Sequence, residues 1–400
     1  MNSFNYYSPT KIVFGKDGHK RVGELVKECC ASRVLIVYGS ERIVKSGLLG
    51  EVTAKLDEAN IAFDKIGGVV ANPHLSLARE GVKKAIEFKA DMILAVGGGS
   101  VIDTAKAVAA GTANPDTDIW EFWSGKKKFD KDLLIGVILT ISAAGSETSN
   151  SAVITNDETW EKRGVNNNLQ RPKFAIMNPE LTYSLPKKQV IAGVVDIIMH
   201  TFERYFTPVQ GNHMSDEMAE GLIRNMIKYG PIGIEDSHNY EAMSEIMWCG
   251  SVSHIDLTGL GSLPEGAARS GDWATHQLGH ELSGMFDSTH GESLAVMWPV
   301  WAKYVVDADY KRFAQYGRKV WNLDIEDDKD CALKAIDKTA EFFKSIGAPT
   351  NFSELGIGVL SEEKLIELAD NCAFHKTRTI GAMKNLAYED ILEIYKGANK

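Results

Sequence analysis

In the first half of the chain, short β-branched and aliphatic runs alternate with stretches whose apolar positions recur every three to four residues. Arg33-Val-Leu-Ile-Val-Tyr38 and Met92-Ile-Leu-Ala-Val96 read as strands buried on both faces, because their apolar runs are unbroken rather than alternating. Leu77 to Lys89 has amphipathic helical spacing, and Ser100 to Ala110 predicts a second helix. Leu133 to Thr140 and Ala152 to Thr155 add further strand-like runs. The alternation predicts a parallel sheet wrapped by helices, an architecture that binds nucleotides at the carboxyl ends of its strands.

After Pro186 the pattern changes. Lys187 to Phe206, His213 to Tyr229, Tyr240 to Leu257, Arg269 to Met285, Ala332 to Ile346 and Glu362 to Cys372 all carry helical spacing with few β-branched runs. Pro179 and Pro186 bracket Glu180 to Leu185, which suits a linker because a residue before proline is pushed out of the helical region. The expected fold is α/β plus all-α: a nucleotide domain over residues 1–182 and a helical domain over residues 183–400.

Composition narrows the function by exclusion. The 400 residues hold 44 Lys and Arg against 54 Asp and Glu, a net charge of −10 with no basic stripe. Nucleic acid and anionic membranes are therefore not expected partners. The N-terminus lacks the basic start and apolar core of a secretory signal, and no apolar run reaches the roughly 18 residues of a membrane span. Five cysteines without a C-x-x-C spacing indicate neither a disulfide framework nor a thiolate metal site. A reduced cytoplasmic setting is expected.

Two groups of residues carry chemistry. Gly97-Gly98-Gly99-Ser100 follows a strand and opens a helix, so several backbone amides can converge on a pyrophosphate, with Asp103 on the first turns of that helix. A simple βα turn is the alternative. At the end of the first strand, Gly39 and Ser40 with Arg42 nearby offer room, donors and positive charge for a 2′-phosphate, favouring NADP(H) over NAD(H). An ordinary solvated loop fits these residues as well.

The second group lies in the helical half, where seven of the ten histidines fall between residues 200 and 290. Asp196 and His200 stand four apart on one helix, as do His276 and His280 on another, and His290-Gly291 follows as a loop. Neutral imidazoles with one carboxylate suit a divalent first-row metal, Fe²⁺ or Zn²⁺, though buried structural histidines would share this spacing. His254 and His375 could line a cleft.

The glycine run, the Asp196-x3-His200 helix, the His276-x3-His280 helix and His290-Gly291, in this order, resemble the iron-containing alcohol dehydrogenase family over nearly the whole chain. Leu139-Thr140-Ile-Ser-Ala-Ala-Gly145-Ser-Glu147 and Gly271-Asp-Trp-Ala-Thr-His276 look most like its butanol dehydrogenase and aldehyde reductase branch. The resemblance implies a Rossmann-like nucleotide domain and a helical metal-binding domain of the dehydroquinate synthase-like fold, with the active site in a cleft between them. It carries Asp196, His200, His276 and His290 over as ligands of one metal, and His280 as a non-ligand that relays protons. It matches Gly97 to Ser100 to the pyrophosphate loop. Thr140, Ser142, Ala144 and Lys162 match the nicotinamide side, and Asn72 a turn near the cofactor.

The implied reaction is reversible hydride transfer between NADP(H) and a small aldehyde or primary alcohol, with the metal as Lewis acid. The resemblance also suggests a homodimer, with Lys11-Ile-Val-Phe14 pairing across it; Trp248, Trp273 and Phe374 are candidates, from their residue type, for lining the substrate cleft. Three other readings stay open: an NAD-dependent glycerol-type polyol dehydrogenase, a redox-neutral enzyme like dehydroquinate synthase, and a non-catalytic nucleotide sensor.

Overall fold

The computed structural model describes residues 1–400 except Ser40, Ala144, Ala268 and Arg269. The chain divides into two units. One holds residues 7–185 and 237–251; the other holds residues 1–6, 186–236 and 252–400. The expected boundary after residue 182 thus falls at Leu185, and the division is not a single cut. Most of the helix Tyr240–His254 belongs with the sheet, because Met247 packs into the apolar layer under it.

The first unit is built on six parallel strands: β1 (Lys11–Phe14), β2 (Arg33–Tyr38), β3 (Ala62–Ile66), β4 (Met92–Gly97), β5 (Leu134–Leu139) and β8 (Phe174–Met177). Their spatial order is β1-β8-β5-β4-β2-β3. Two more strands, β6 (Ser151–Asn156) and β7 (Glu161–Asn166), form a separate antiparallel hairpin. β4 is buried at every position, and two apolar layers, one led by Val34, Ile36 and Leu94, the other by Leu35, Val37 and Ile93, cover the sheet's faces. Burial on both faces is why β2 and β4 read as unbroken apolar runs.

β3 and β7 escape that signature. β3 is an edge strand that carries Asp64 and Lys65, and β7 is largely polar. The N-terminal strand pairs in parallel with β8 of the same chain, Lys11 opposite Phe174, and forms the other edge of the sheet. Chain order reverses between β2 and β4, so the loops after these neighbouring strands leave from the switch point where open α/β sheets bind ligands.

The second unit is helical, and no named strand follows residue 185 among the described residues. Its helices Lys187–Tyr205, Ala274–Phe286 and His290–Val305 carry the acid and histidine group. The helix expected from Arg269 begins only at Ala274, because Gly271 (φ +99°) and Trp273 (φ +66°) turn the backbone left-handed just before it. The helix expected to stop at Tyr229 runs from His213 to Glu235, through Pro231. Gly230 lies against Val194 there, where a Cβ would come within 2.9 Å of the Val194 side chain. No described helix is long and apolar enough to cross a membrane.

Candidate metal and nucleotide sites

Asp196 sits in the middle of an apolar helix and is 4% exposed, so its carboxylate is costly unless something compensates it. Three imidazoles turn their Nε2 atoms toward its Oδ1: His200 at 3.5 Å, His290 at 3.7 Å and His276 at 3.9 Å. The ligand atoms of Asp196, His276 and His290 all lie within 4.8 Å of one another. Burial, then the neighbouring His254, His276, Arg204 and His290, holds the His200 imidazole well below its ordinary pKa. A neutral ring leaves a lone pair for a metal, and three imidazoles with one carboxylate form a donor set that fits Fe²⁺ or Zn²⁺.

His290, expected in a loop, is instead the first residue of the helix His290–Val305. The next residue explains how it reaches the group: a Cβ on Gly291 would stand 2.1 Å from the Ala192 carbonyl oxygen. Only glycine lets this helix start so close to the helix bearing Asp196. His280 stands at the edge of the cluster, half-buried, its ring centre 5.3 Å from that of His290.

Glu203 was absent from the expected set and is central to it. It is 2% exposed, one helical turn beyond His200. His276 donates to Glu203 Oε1 from its ring Nδ1 at 2.7 Å and from its backbone N–H at 2.9 Å, and the Trp273 N–H donates to Oε2 at 2.5 Å. One carboxylate thus caps the start of the helix Ala274–Phe286 and fixes the hydrogen of His276 on Nδ1, leaving Nε2 bare. The spacing Asp196, His200, Glu203, that is i, i+4, i+7, puts all three on one helix face and was the available signal.

Asp272 plays a comparable supporting role. Its carboxylate accepts from the backbone N–H groups of Ala274, Ala382 and Met383, and burial pushes its pKa up to about 7. Trp273 packs beside the cluster, its ring 5.2 Å from His276 and 5.8 Å from His200. Trp248 belongs to the sheet unit, edge-on to Phe14, and Phe374 lies in a left-handed run through Lys376.

In the sheet unit, Gly97 closes β4 and Gly98 precedes the helix Gly99–Ala113. A Cβ on Gly98 would stand 2.7 Å from Ile141 Cβ, whereas one on Gly99 would meet nothing within 4 Å. The loop is thus packed on one side and open on the other, at a helix N-terminus, which is what an anion seat requires. Thr140 and Ser142 are buried beside it, and the Thr140 N–H donates to the Gly97 carbonyl at 3.0 Å. Ser40 and Ala144 lie outside the described residues.

Asp103 turns inward instead of toward a cofactor. Its carboxylate accepts from Ser146 Oγ at 2.7 Å and from the Val153 N–H at 3.0 Å. Lys106, fully buried and with its pKa lowered to about 8 by burial, donates to the carbonyls of Ser146, Ser149 and Ser151. These two side chains hold the segment after β5 against the helix that the glycines open. Lys162 and Asn72 do meet: Lys162 Nζ donates to Asn72 Oδ1 at 2.8 Å, with Asn72 left-handed at φ +54°. Arg42 donates to Ser184 Oγ at 3.3 Å and lines a cavity of about 640 Å³ with Lys20, Ser46, Lys55 and His238.

Residues 9–179 match the family described as iron-containing alcohol dehydrogenase, and residues 190–399 match its C-terminal domain. The chain is similar to NADH-dependent butanol dehydrogenase A of Clostridium acetobutylicum, 41% identical over 99% of each chain. It is 33% identical, over the full length of both, to the NADPH-dependent aldehyde reductase YqhD of Escherichia coli. Among solved structures, NADH-dependent butanol dehydrogenase A of Thermotoga maritima superposes with a TM-score of 0.94 at 36% identity, covering 100% of this chain and 99% of that one. The chain belongs to the iron-containing alcohol dehydrogenase family, an oxidoreductase class that uses a nicotinamide cofactor and a divalent metal.

Proposed function

We propose that this chain is a metal-dependent aldehyde reductase and alcohol dehydrogenase for small primary substrates of the butanal type, using NADP(H). The observation that carries it is the convergence of three imidazole Nε2 atoms on Asp196 Oδ1. Asp196, His200, His276 and His290 would hold one Fe²⁺ or Zn²⁺, which when bound supplies Lewis acidity for a carbonyl oxygen. The butanal-type substrate comes from likeness to relatives whose names specify butanol dehydrogenase and aldehyde reductase.

Around that chemistry the chain's own residues orient and move protons. Glu203 holds the His276 ring in the tautomer that leaves Nε2 bare. His280, half-buried beside His290, passes a proton between the alcohol oxygen and solvent through its imidazole. The amides at Gly98 to Ser100 seat the pyrophosphate of the cofactor, and Asp103 with Lys106 keeps the neighbouring segment in place.

The choice of NADP(H) rests on Gly39 and Arg42. The position that follows β2 is a small residue and not a carboxylate, and Arg42 faces a cavity whose walls carry Lys20 and Lys55 alongside Asp17, Glu51 and Glu180. The Clostridium and Thermotoga relatives are named for NADH, so the test carries both cofactors. Oxidation of NADPH and of NADH is followed at 340 nm with butanal, on protein stripped of metal and reloaded with Fe²⁺ or Zn²⁺. Metal-dependent turnover faster with NADPH is expected. Equal or faster turnover with NADH refutes the cofactor assignment, and turnover unaffected by metal refutes the site.

A further inference from the structure

We infer that His254 is a positioning residue: it fixes the His200 ring in the tautomer whose Nε2 lone pair faces Asp196. The inference rests on the metal-site reading above. His200 presents Nε2 to Asp196 Oδ1 at 3.5 Å, and its other nitrogen, Nδ1, lies 3.0 Å from Nδ1 of His254. Two ring nitrogens at that distance share one hydrogen, so one donates and the other accepts. A neutral imidazole carries a single N–H. For His200 to offer Nε2 to a metal, its hydrogen must sit on Nδ1. His254 is then the acceptor through Nδ1 and carries its own hydrogen on Nε2.

The His254 backbone is tied beside that of His200. Arg204 donates through Nη1 to the His200 carbonyl at 2.9 Å and through Nη2 to the His254 carbonyl at 3.5 Å and to Asp256 Oδ1 at 3.2 Å. A single guanidinium thus ties the backbones of both histidines, and their rings meet at 4.4 Å with an interplanar angle of 82°. His200 and His276 are then oriented by the same device with different acceptors. Glu203 accepts as a carboxylate, whereas His254 accepts as a neutral ring and brings no second negative charge to the His200 side.

The test uses the full chain with His254→Leu, which removes the acceptor, and His254→Asn, which returns an amide oxygen near the place of Nδ1. Zn²⁺ affinity is measured by competition with a chromogenic chelator, and the melting temperature of the metal-free protein is measured alongside. We expect His254→Leu to bind Zn²⁺ about 10- to 100-fold more weakly with the metal-free melting temperature unchanged, as loss of a hydrogen-bond partner behind a ligand does. His254→Asn should recover most of that loss. Wild-type affinity in His254→Leu, or equal weakness in both variants, overturns the inference.

If His254→Leu does not fold, the ¹⁵N spectrum of Zn²⁺-loaded wild-type histidines decides. A hydrogen on His200 Nδ1 with bare His254 Nδ1 is expected, and a hydrogen on His254 Nδ1 overturns the assignment. A wild-type chain that takes up no Zn²⁺ refutes the metal site itself, a result distinct from a wild type that binds and a His254→Leu that binds equally well.

Discussion

The sheet unit makes its candidate site out of backbone, at three glycines between β4 and a helix, while the helical unit makes its site out of side chains brought from three helices. In the first, the charged residues near the motif, Asp103 and Lys106, are turned inward and hold the surrounding segment. In the second, residues outside the motif, Glu203 and His254, hydrogen-bond to the rings of the proposed metal ligands His276 and His200. A backbone site is thus damaged by adding atoms to it. A side-chain site is damaged by removing atoms from behind it.

Removing a ligand should have the largest effect. His276→Ala takes away an Nε2 donor and is expected to lose bound metal, with activity down about 1000-fold or more, the scale on which lost electrostatic stabilisation acts. Metal content by mass spectrometry and turnover should fall together; full metal content would remove His276 from the ligand set. His280→Ala is the contrasting case. It should keep its metal and lose about 100-fold in rate, the lower range for a lost proton-transfer group, and a variant that loses metal would make His280 a ligand instead.

Behind the ligands the effects shrink. Glu203→Gln loses one acceptor for the three N–H groups that the carboxylate serves. We expect metal affinity to fall by about 10- to 100-fold, read by chelator competition, with cofactor binding to the sheet unit unaltered. In that unit, Gly98→Ala would place a methyl 2.7 Å from Ile141 Cβ. Overpacking of this kind costs about 1–3 kcal/mol, so the dissociation constant for the reduced cofactor should rise by about tenfold or more while metal content stays at the wild-type level. A variant that loses metal as well would erase the distinction between the two sites.

The same distinction explains what could be read along the chain. β2, β4 and the helix opening at Gly99 were legible because full burial leaves unbroken apolar runs and because glycine announces a backbone site. β3, at the sheet edge, was not, since half-buried Asp64, ion-paired with Lys84, and exposed Lys65 interrupt the run. In the helical unit, the spacing of Asp196 and His200 marks the candidate ligand helix, whereas Glu203 on the same face carries no signal of its own because buried glutamates share that spacing with solvated ones. His254 was beyond reach of any spacing rule. Its partner His200 lies 54 residues away, and the two meet only through the tertiary fold and the Arg204 bridge.

The smallest expected effect concerns cofactor choice. NADPH and NADH differ only by the 2′-phosphate, so a residue that reads this group should change one kcat/KM and leave the other alone. Arg42 is placed for that role: it lies in the short helix Glu41–Lys45 directly after the loop that follows β2, is held by Ser184, and faces the cavity shared with Lys20 and Lys55. Arg42→Ala removes the charge but none of the glycine loop proposed to seat the pyrophosphate. One charge-assisted contact to phosphate is worth about 1.5–3 kcal/mol, and solvent at this half-exposed position reduces it, so kcat/KM with NADPH should fall about tenfold. The value with NADH should not move. Equal losses with both cofactors would mean that Arg42 supports the fold of the loop instead of reading the phosphate, and the proposed preference for NADP(H) would then rest on the small residues after β2 alone.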